Sequence, residues 1–202
     1  SDNDAVAVSG NTGRVTRPQD KDAGVKLTAN LTNGTAKDFV EFNLTVKRLE
    51  RVLVESENLA LNKTVTGSAE VYNANSYGYD KMVDGNAGTR VALKDRVPLA
   101  DGGDWIQIDL GEETQFNKIT MTEFQHRMTR WKFLYSSDGE KWQEIGEYTQ
   151  EGNNGDPNSH QAVVLDQDVT ARYVRLLLLE KWNEMGVSIY EMGIYRLYEP
   201  TT

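Results

Sequence analysis

Apolar residues along this chain recur at a period of two, and helical periodicity is almost absent. Runs rich in Val, Ile, Thr and Tyr alternate with clusters of Gly, Asn and Asp. Successive side chains of a strand point to opposite faces, so the pattern predicts an all-β architecture. The clearest run is Asp104-Trp105-Ile106-Gln107-Ile108-Asp109-Leu110-Gly111, which should bury Ile106, Ile108 and Leu110 and turn Gln107 and Asp109 away. Trp131, Phe133 and Tyr135 share one face of a later strand, which Asp138-Gly139 should end in a hairpin turn. Thr170–Leu176 begins a near-continuous apolar strand, as a central sandwich strand should be, and Ser188–Tyr195 closes the pattern.

A weaker pattern precedes these runs. Strands are predicted over Ala5–Val8, Gly13–Arg17, Gly24–Leu31 and Asp38–Val46, with Asn11-Thr12-Gly13 and Thr32-Asn33-Gly34-Thr35 as hairpin turns. Phe39 is out of phase with Phe42, Leu44 and Val46, which predicts a bulge or register change near Val40. A polar seam between Leu49 and Asn58 sets the boundary near residue 55, giving a small unit over 1–50 and a larger one over 56–199. Some fifty residues are marginal for an independent core.

Composition narrows the chemistry. A formal net charge of −9 argues against nucleic acid and anionic membrane as partners, since both select a basic face. With no cysteine there can be no disulfide, thiol nucleophile or thiolate metal site. The chain contains only two histidines, His126 and His160, and lacks a Gly-x-Ser-x-Gly elbow and a phosphate-cradling glycine loop. Its acidic pairs have no tie to a carboxylate pair across a cleft, so catalysis is not expected. No run reaches the length of a membrane-spanning helix and no signal peptide opens the chain; Ser1-Asp2-Asn3 reads as cut from something longer.

One loop stands apart: Lys81-Met82-Val83-Asp84-Gly85-Asn86-Ala87-Gly88-Thr89 gathers oxygen donors around a glycine. Oxygen ligands suit Ca²⁺, whereas zinc or a redox metal would call for His or Cys. The simpler alternative is a turn in which Asp84 caps its own backbone.

Together with Asn58-Leu59-Ala60-Leu61-Asn62-Lys63 and the strands from Trp105 to Tyr195, this loop resembles the discoidin, or coagulation-factor type C, family and its bacterial carbohydrate-binding branch. The stretches Asn11–Pro18, Val25–Ala29 and Phe42–Lys47 resemble a partial, degenerate bacterial immunoglobulin-like spacer. The resemblance implies an eight-stranded jelly-roll sandwich of the galactose-binding-like kind, preceded by an immunoglobulin-like fragment. It also implies a structural Ca²⁺ held by the carbonyl of Lys81, by Asp84, Asn86 and Thr89, and by the carbonyl of Tyr190 and carboxylate of Glu191. Such a clamp would be remote from the ligand site. Val91 stands where the family commonly has Trp, a change that alters packing beyond the loop.

Sugar recognition combines a flat aromatic with fixed polar groups. The sequence candidates are Trp182 with Asn183, His126 with Arg127, and Tyr72 with Asn75 and Tyr77. Against each stands a structural alternative. Trp182 could plug the sandwich mouth, Arg127 could pair with Glu123, and the tyrosines could be surface residues. Lys94, Asp95 and Arg96 read as a solvated patch, Trp105, Trp131 and Trp142 as core, and the polar run 151–158 as a surface excursion. The expectation is a monomeric, non-catalytic carbohydrate-binding module of a larger secreted or surface-bound bacterial glycoside hydrolase. Its partners would be a glycan and the catalytic domain of the parent chain. The rival is a structural or protein-interaction domain that binds no sugar.

Overall fold

Where the alternation stops, glycine and aspartate turn the chain, and strands fill the intervals between. The computed structural model describes residues 1–10, 12–19, 21–49, 52–152 and 158–200. These form two compact units, one built on Ser1–Leu53 and the other on Val54–Tyr198. The centre of the predicted polar excursion, 153–157, lies outside the described residues.

In the first unit β1 (Val6–Ser9) pairs with β2 (Thr12–Val15), and β3 (Ala23–Asn33) pairs with β4 (Ala36–Val46). The first turn falls earlier than expected. Gly10 takes φ +58°, Thr12 and Gly13 already belong to β2, and Asn11 lies outside the described residues. Gly34, with φ +61°, turns the second hairpin as expected. The bulge expected near Val40 is absent, because the ladder runs without a shift from Ala23↔Val46 to Asn33↔Ala36. Phe39 and Phe42 simply point to opposite faces of the ribbon, and both remain exposed, so burial does not favour either phase. The buried core of this unit is Ala5, Val6, Val25 and Val46.

The second unit runs β5 (Val54–Glu55), β6 (Thr64–Gly67), a single helical turn α1 (Ala74–Tyr77), β7 (Val91–Ala92), β8 (Asp104–Glu123), β9 (Met128–Ser136), β10 (Gln143–Thr149), β11 (Ser159–Lys181), β12 (Ser188–Tyr195) and β13 (Leu197–Tyr198). Strands β8 and β11 each serve two sheets. Their inner halves pair with each other, and β6 and β9 lie on either side of that pair, with β10 beyond β9. Past the register shifts at Val164/Val169 and Ala171/Tyr173, the other halves pair again, and β12 and then β7 extend that sheet. Counting both halves of β8 and β11 gives the eight strands of a jelly-roll sandwich, and the two-residue β7 adds a ninth at one edge.

Ile106, Ile108 and Leu110 meet Phe133, Leu176 and Ile194 in the core, all 1% exposed or less. Each such side chain contributes about 1.5–3 kcal/mol of transfer free energy. Of the three tryptophans expected to be core, Trp131 is (1% exposed), whereas Trp105 and Trp142 lie half-buried. Trp105 precedes inward-facing Ile106, so the pleat turns it outward. There the Arg175 guanidinium lies 4.4 Å from the Trp105 ring centroid and 3.7 Å from that of Trp142. On the same outer face Arg175 donates to Gln107, and Arg172 grips both oxygens of Asp109 at 2.8 Å.

Candidate functional site

The Lys81–Thr89 loop follows a short 3₁₀ turn over Tyr79–Met82, and Gly85 makes its sharp bend at φ +73°. Asp84 Oδ1 accepts the Asn86 amide at 2.9 Å, and the Thr89 hydroxyl lies 2.9 and 2.8 Å from the two Asp84 oxygens. Asn86 Oδ1 accepts the Gly88 amide at 3.0 Å. Asp84 therefore caps its own turn. It also faces a second carboxylate: burial first, then the neighbouring Asp84, push Glu191 up to about 7, although the Gly85 and Asn86 amides pull the other way. Among the described residues Glu191 Oε1 is buried with no hydrogen-bond partner. Two carboxylates facing each other, one with an orphaned oxygen, within a set of oxygen donors, fit a hard divalent cation. The Lys81 ammonium approaches Asp80 at 3.0 Å and Asp84 at 4.0 Å.

The loop is not remote from the other candidate residues. The residue after Thr89, Arg90, enters a groove of about 270 Å³ with Tyr72, Tyr77, Asp95 and Arg127. Asn73 caps α1 by accepting the Asn75 and Ser76 amides, and the turn sets Tyr77 edge-on to Tyr72 at 6.1 Å. Tyr72 is 63% exposed. The Arg90 guanidinium is held between Tyr77 (5.0 Å) and Phe124 (4.1 Å) and donates to Ser188 Oγ at 2.6 Å. Arg127, also over Phe124 at 4.8 Å, donates to Gln125 Oε1 and to the Gly186 carbonyl. Asp95 accepts the Gly186 amide at 2.7 Å. The groove thus sets one freely exposed aromatic ring beside three charged groups whose positions are fixed by neighbours.

Arg127 does not reach Glu123 through its side chain as sequence reasoning allowed. Glu123 instead clamps the β8–β9 turn from beneath, accepting Met128 N at 2.7 Å and Gln150 Nε2 at 2.8 Å. Complete burial pushes its carboxyl up to about 7 in spite of those donors and the Arg127 charge. His126 faces a separate hollow formed with residues 150–152 and 158–161. Trp182 is 48% exposed and packs over Gly152, where an added Cβ would meet Trp182 Cγ at 2.1 Å. Asn183 accepts the Met185 amide within its own loop at 2.9 Å.

Of the sequence candidates, Tyr72, Tyr77 and Arg127 share one groove, while His126, Trp182 and Asn183 lie outside it. Arg90 was missed, and Asp95 was read as a solvated charge. Only the position of Arg90 beside the oxygen-rich loop could have drawn attention to it.

The sandwich defines a galactose-binding-like jelly roll with a loop-end groove. The F5/8 type C domain model matches residues 64–192, and the chain belongs to that family. Residues 1–49 match the model of an atrophied bacterial Ig domain. Among solved structures, chitosan-binding module 1 of a chitosanase/glucanase from Paenibacillus sp. IK-5 is similar at 25% identity and TM-score 0.58, covering 69% of this chain and 99% of the module. Module 2 of the same enzyme, solved with chitotriose, gives 25% identity and TM-score 0.57 over 70% of this chain and 99% of the module. The family 32 module of NanJ from C. perfringens, solved with galactose, shares the fold at 18% identity and TM-score 0.57 over 71% of this chain and the whole module. Mouse lactadherin (Mus musculus) is 30% identical over 98 residues, covering 45% of this chain but only 21% of lactadherin.

Proposed function

We propose that the sandwich is a non-catalytic carbohydrate-binding module whose ligand site is the groove between Tyr72, Tyr77, Arg90, Asp95 and Arg127. The observation that carries the reading is the meeting, in one groove of about 270 Å³, of an exposed tyrosine with charged groups already held in place. A sugar ring lays its apolar face on such an aromatic and gives its hydroxyls to the fixed donors and acceptors. The modules solved with chitotriose and galactose support this choice of ligand class.

In this reading the module belongs to a larger secreted or surface-bound bacterial glycoside hydrolase, with the N-terminal unit as a spacer. Weak sugar binding would raise the local concentration of the catalytic domain at its glycan. Ca²⁺ would be held by Asp84, Asn86, Thr89 and Glu191 with the carbonyls of Lys81 and Tyr190. When bound it would neutralise the facing carboxylates and tie the loop before Arg90 to β12. Its part is structural, but it reaches the groove through Arg90.

Calorimetry after a glycan screen tests the reading. Tyr72→Ala and Arg90→Ala should each weaken the best ligand about tenfold, the loss of one stacking or charge-assisted contact. Silence of the intact chain across chitosan oligomers, galactosides and other plant and host glycans would favour the interaction-domain reading instead.

A further inference from the structure

The hollow beside the groove has a chemistry of its own. It measures about 590 Å³, within the range of small-ligand sites. His126, Gln150, Asn158, Ser159, His160 and Gln161 line it, so both histidines of the chain are there. Among the described residues no lysine or arginine lines it, and Glu151 is the one carboxylate, which disfavours an anionic ligand. Among the described residues no three His, Cys, Asp or Glu side chains are placed to hold a metal ion. Amides, imidazoles and a hydroxyl are the groups that pair with a neutral polyhydroxylated molecule, since each can donate and accept.

These groups are set before any ligand arrives. Gln150 Oε1 accepts from Ser159 Oγ at 3.0 Å and from Gln161 Nε2 at 3.2 Å, and Gln161 Nε2 also donates to Ser159 Oγ at 2.9 Å. The amide of Gln150 is itself anchored on buried Glu123 and the Met128 carbonyl. His160 Nδ1 lies 2.9 Å from Thr122 Oγ1, which leaves its other ring nitrogen for a further partner. Fixed rotamers reduce the ordering cost of binding. At the margin, Gly152 lies beneath the half-exposed Trp182 indole, where no side chain would fit. The hollow therefore has an aromatic neighbour as well as a polar wall.

Position links this hollow to the groove. Gln125 turns the backbone at φ +64°, and the two residues that follow separate: His126 lines the hollow and Arg127 the groove. The two cavities thus share the β8–β9 turn as a wall. We propose that the hollow is a second carbohydrate subsite, which takes a further residue of a neutral oligosaccharide whose first residue lies in the groove. The proposal rests on the groove being the sugar site.

Calorimetry on the full chain in saturating Ca²⁺ tests it with two probe pairs, galactose against GalNAc-β-1,3-galactose and glucosamine against chitotriose. In the pair that binds, the oligosaccharide should be at least about tenfold tighter, the worth of one or two added hydrogen bonds. Gln161→Ala and, independently, His126→Ala should bring the oligosaccharide down to the monosaccharide's affinity while leaving the monosaccharide unaffected. Equal affinities within a pair, both abolished by Arg90→Ala, would overturn the subsite and spare the groove. Equal weakening of both saccharides by each hollow variant would also overturn it. If neither member of either pair binds, the groove reading fails and the subsite falls with it.

Discussion

The β3–β4 ribbon and the β8–β11 pair are both long antiparallel ladders, yet they treat the same side chain in opposite ways. The ribbon leaves Phe39 and Phe42 60% and 51% exposed, whereas Phe116 and Phe133 in the sandwich are 1% exposed or less. The ladder satisfies backbone hydrogen bonds in both cases. In the ribbon β1 covers only the end at Val25 and Val46, whereas in the sandwich a second sheet covers the apolar face throughout, because β8 and β11 pass from one sheet to the other and bring their own cover. A strand pattern specifies a pleat, and burial needs a second layer.

The largest expected effect tests that contrast directly. Phe133→Ala should cost about 3–5 kcal/mol, through lost transfer energy and the cavity left behind. Urea unfolding followed by tryptophan fluorescence reads the sandwich alone, since all four tryptophans (105, 131, 142 and 182) lie in it. A loss below about 1 kcal/mol would mean that the sandwich is not close-packed around β9.

A second effect comes from Glu123, a fully buried carboxyl without counterpart in the ribbon. Its folded-state value, about 7, lies above the ordinary 4.5. The stability it contributes is therefore present below about pH 4.5 and is lost as pH rises to about 7. The loss should be on the order of 3 kcal/mol. In saturating Ca²⁺ the proposed clamp would keep Glu191 out of the titration, and Glu123→Gln should flatten the slope over that window. A wild-type profile that is already flat would refute the assignment.

The third is chelation. Taking Ca²⁺ from a hundredfold excess over its dissociation constant to nothing should cost the sandwich about 3 kcal/mol and lower its Tm by roughly 5–10 °C. Sugar affinity should fall as well, because Arg90 follows the loop directly. An unmoved Tm on adding EDTA to loaded protein would leave the loop as an Asp84-capped turn. The smallest effect belongs to the ribbon: Phe42→Ala should change stability by less than about 0.5 kcal/mol in a chemical melt followed by circular dichroism. A larger loss would reveal a cover for that face.

Much of the fold was legible before any coordinates. The alternation from Trp105 to Leu110 named the buried residues, and the glycines at 34, 85 and 139 marked turns that take positive φ. Phase errors arose where burial is weak, as at Phe39, and where a large aromatic was taken as core against the strand's own period, as at Trp105. The site was harder to read. Tyr72, Tyr77 and Arg127 were singled out one by one, but nothing local joins them to Arg90 and Asp95.

By itself, then, the sequence determined the strand class and the oxygen-rich loop. These depend on neighbours a few residues apart, through the pleat's period and the turn chemistry of glycine and aspartate. The tertiary structure alone decided which loops face each other. It moved Arg90 beside Arg127, placed His126 and His160 in one hollow, and set Trp105 and Trp142 around Arg175. Those pairings follow from the two long strands changing sheets, a consequence of the whole topology that no short window of residues contains.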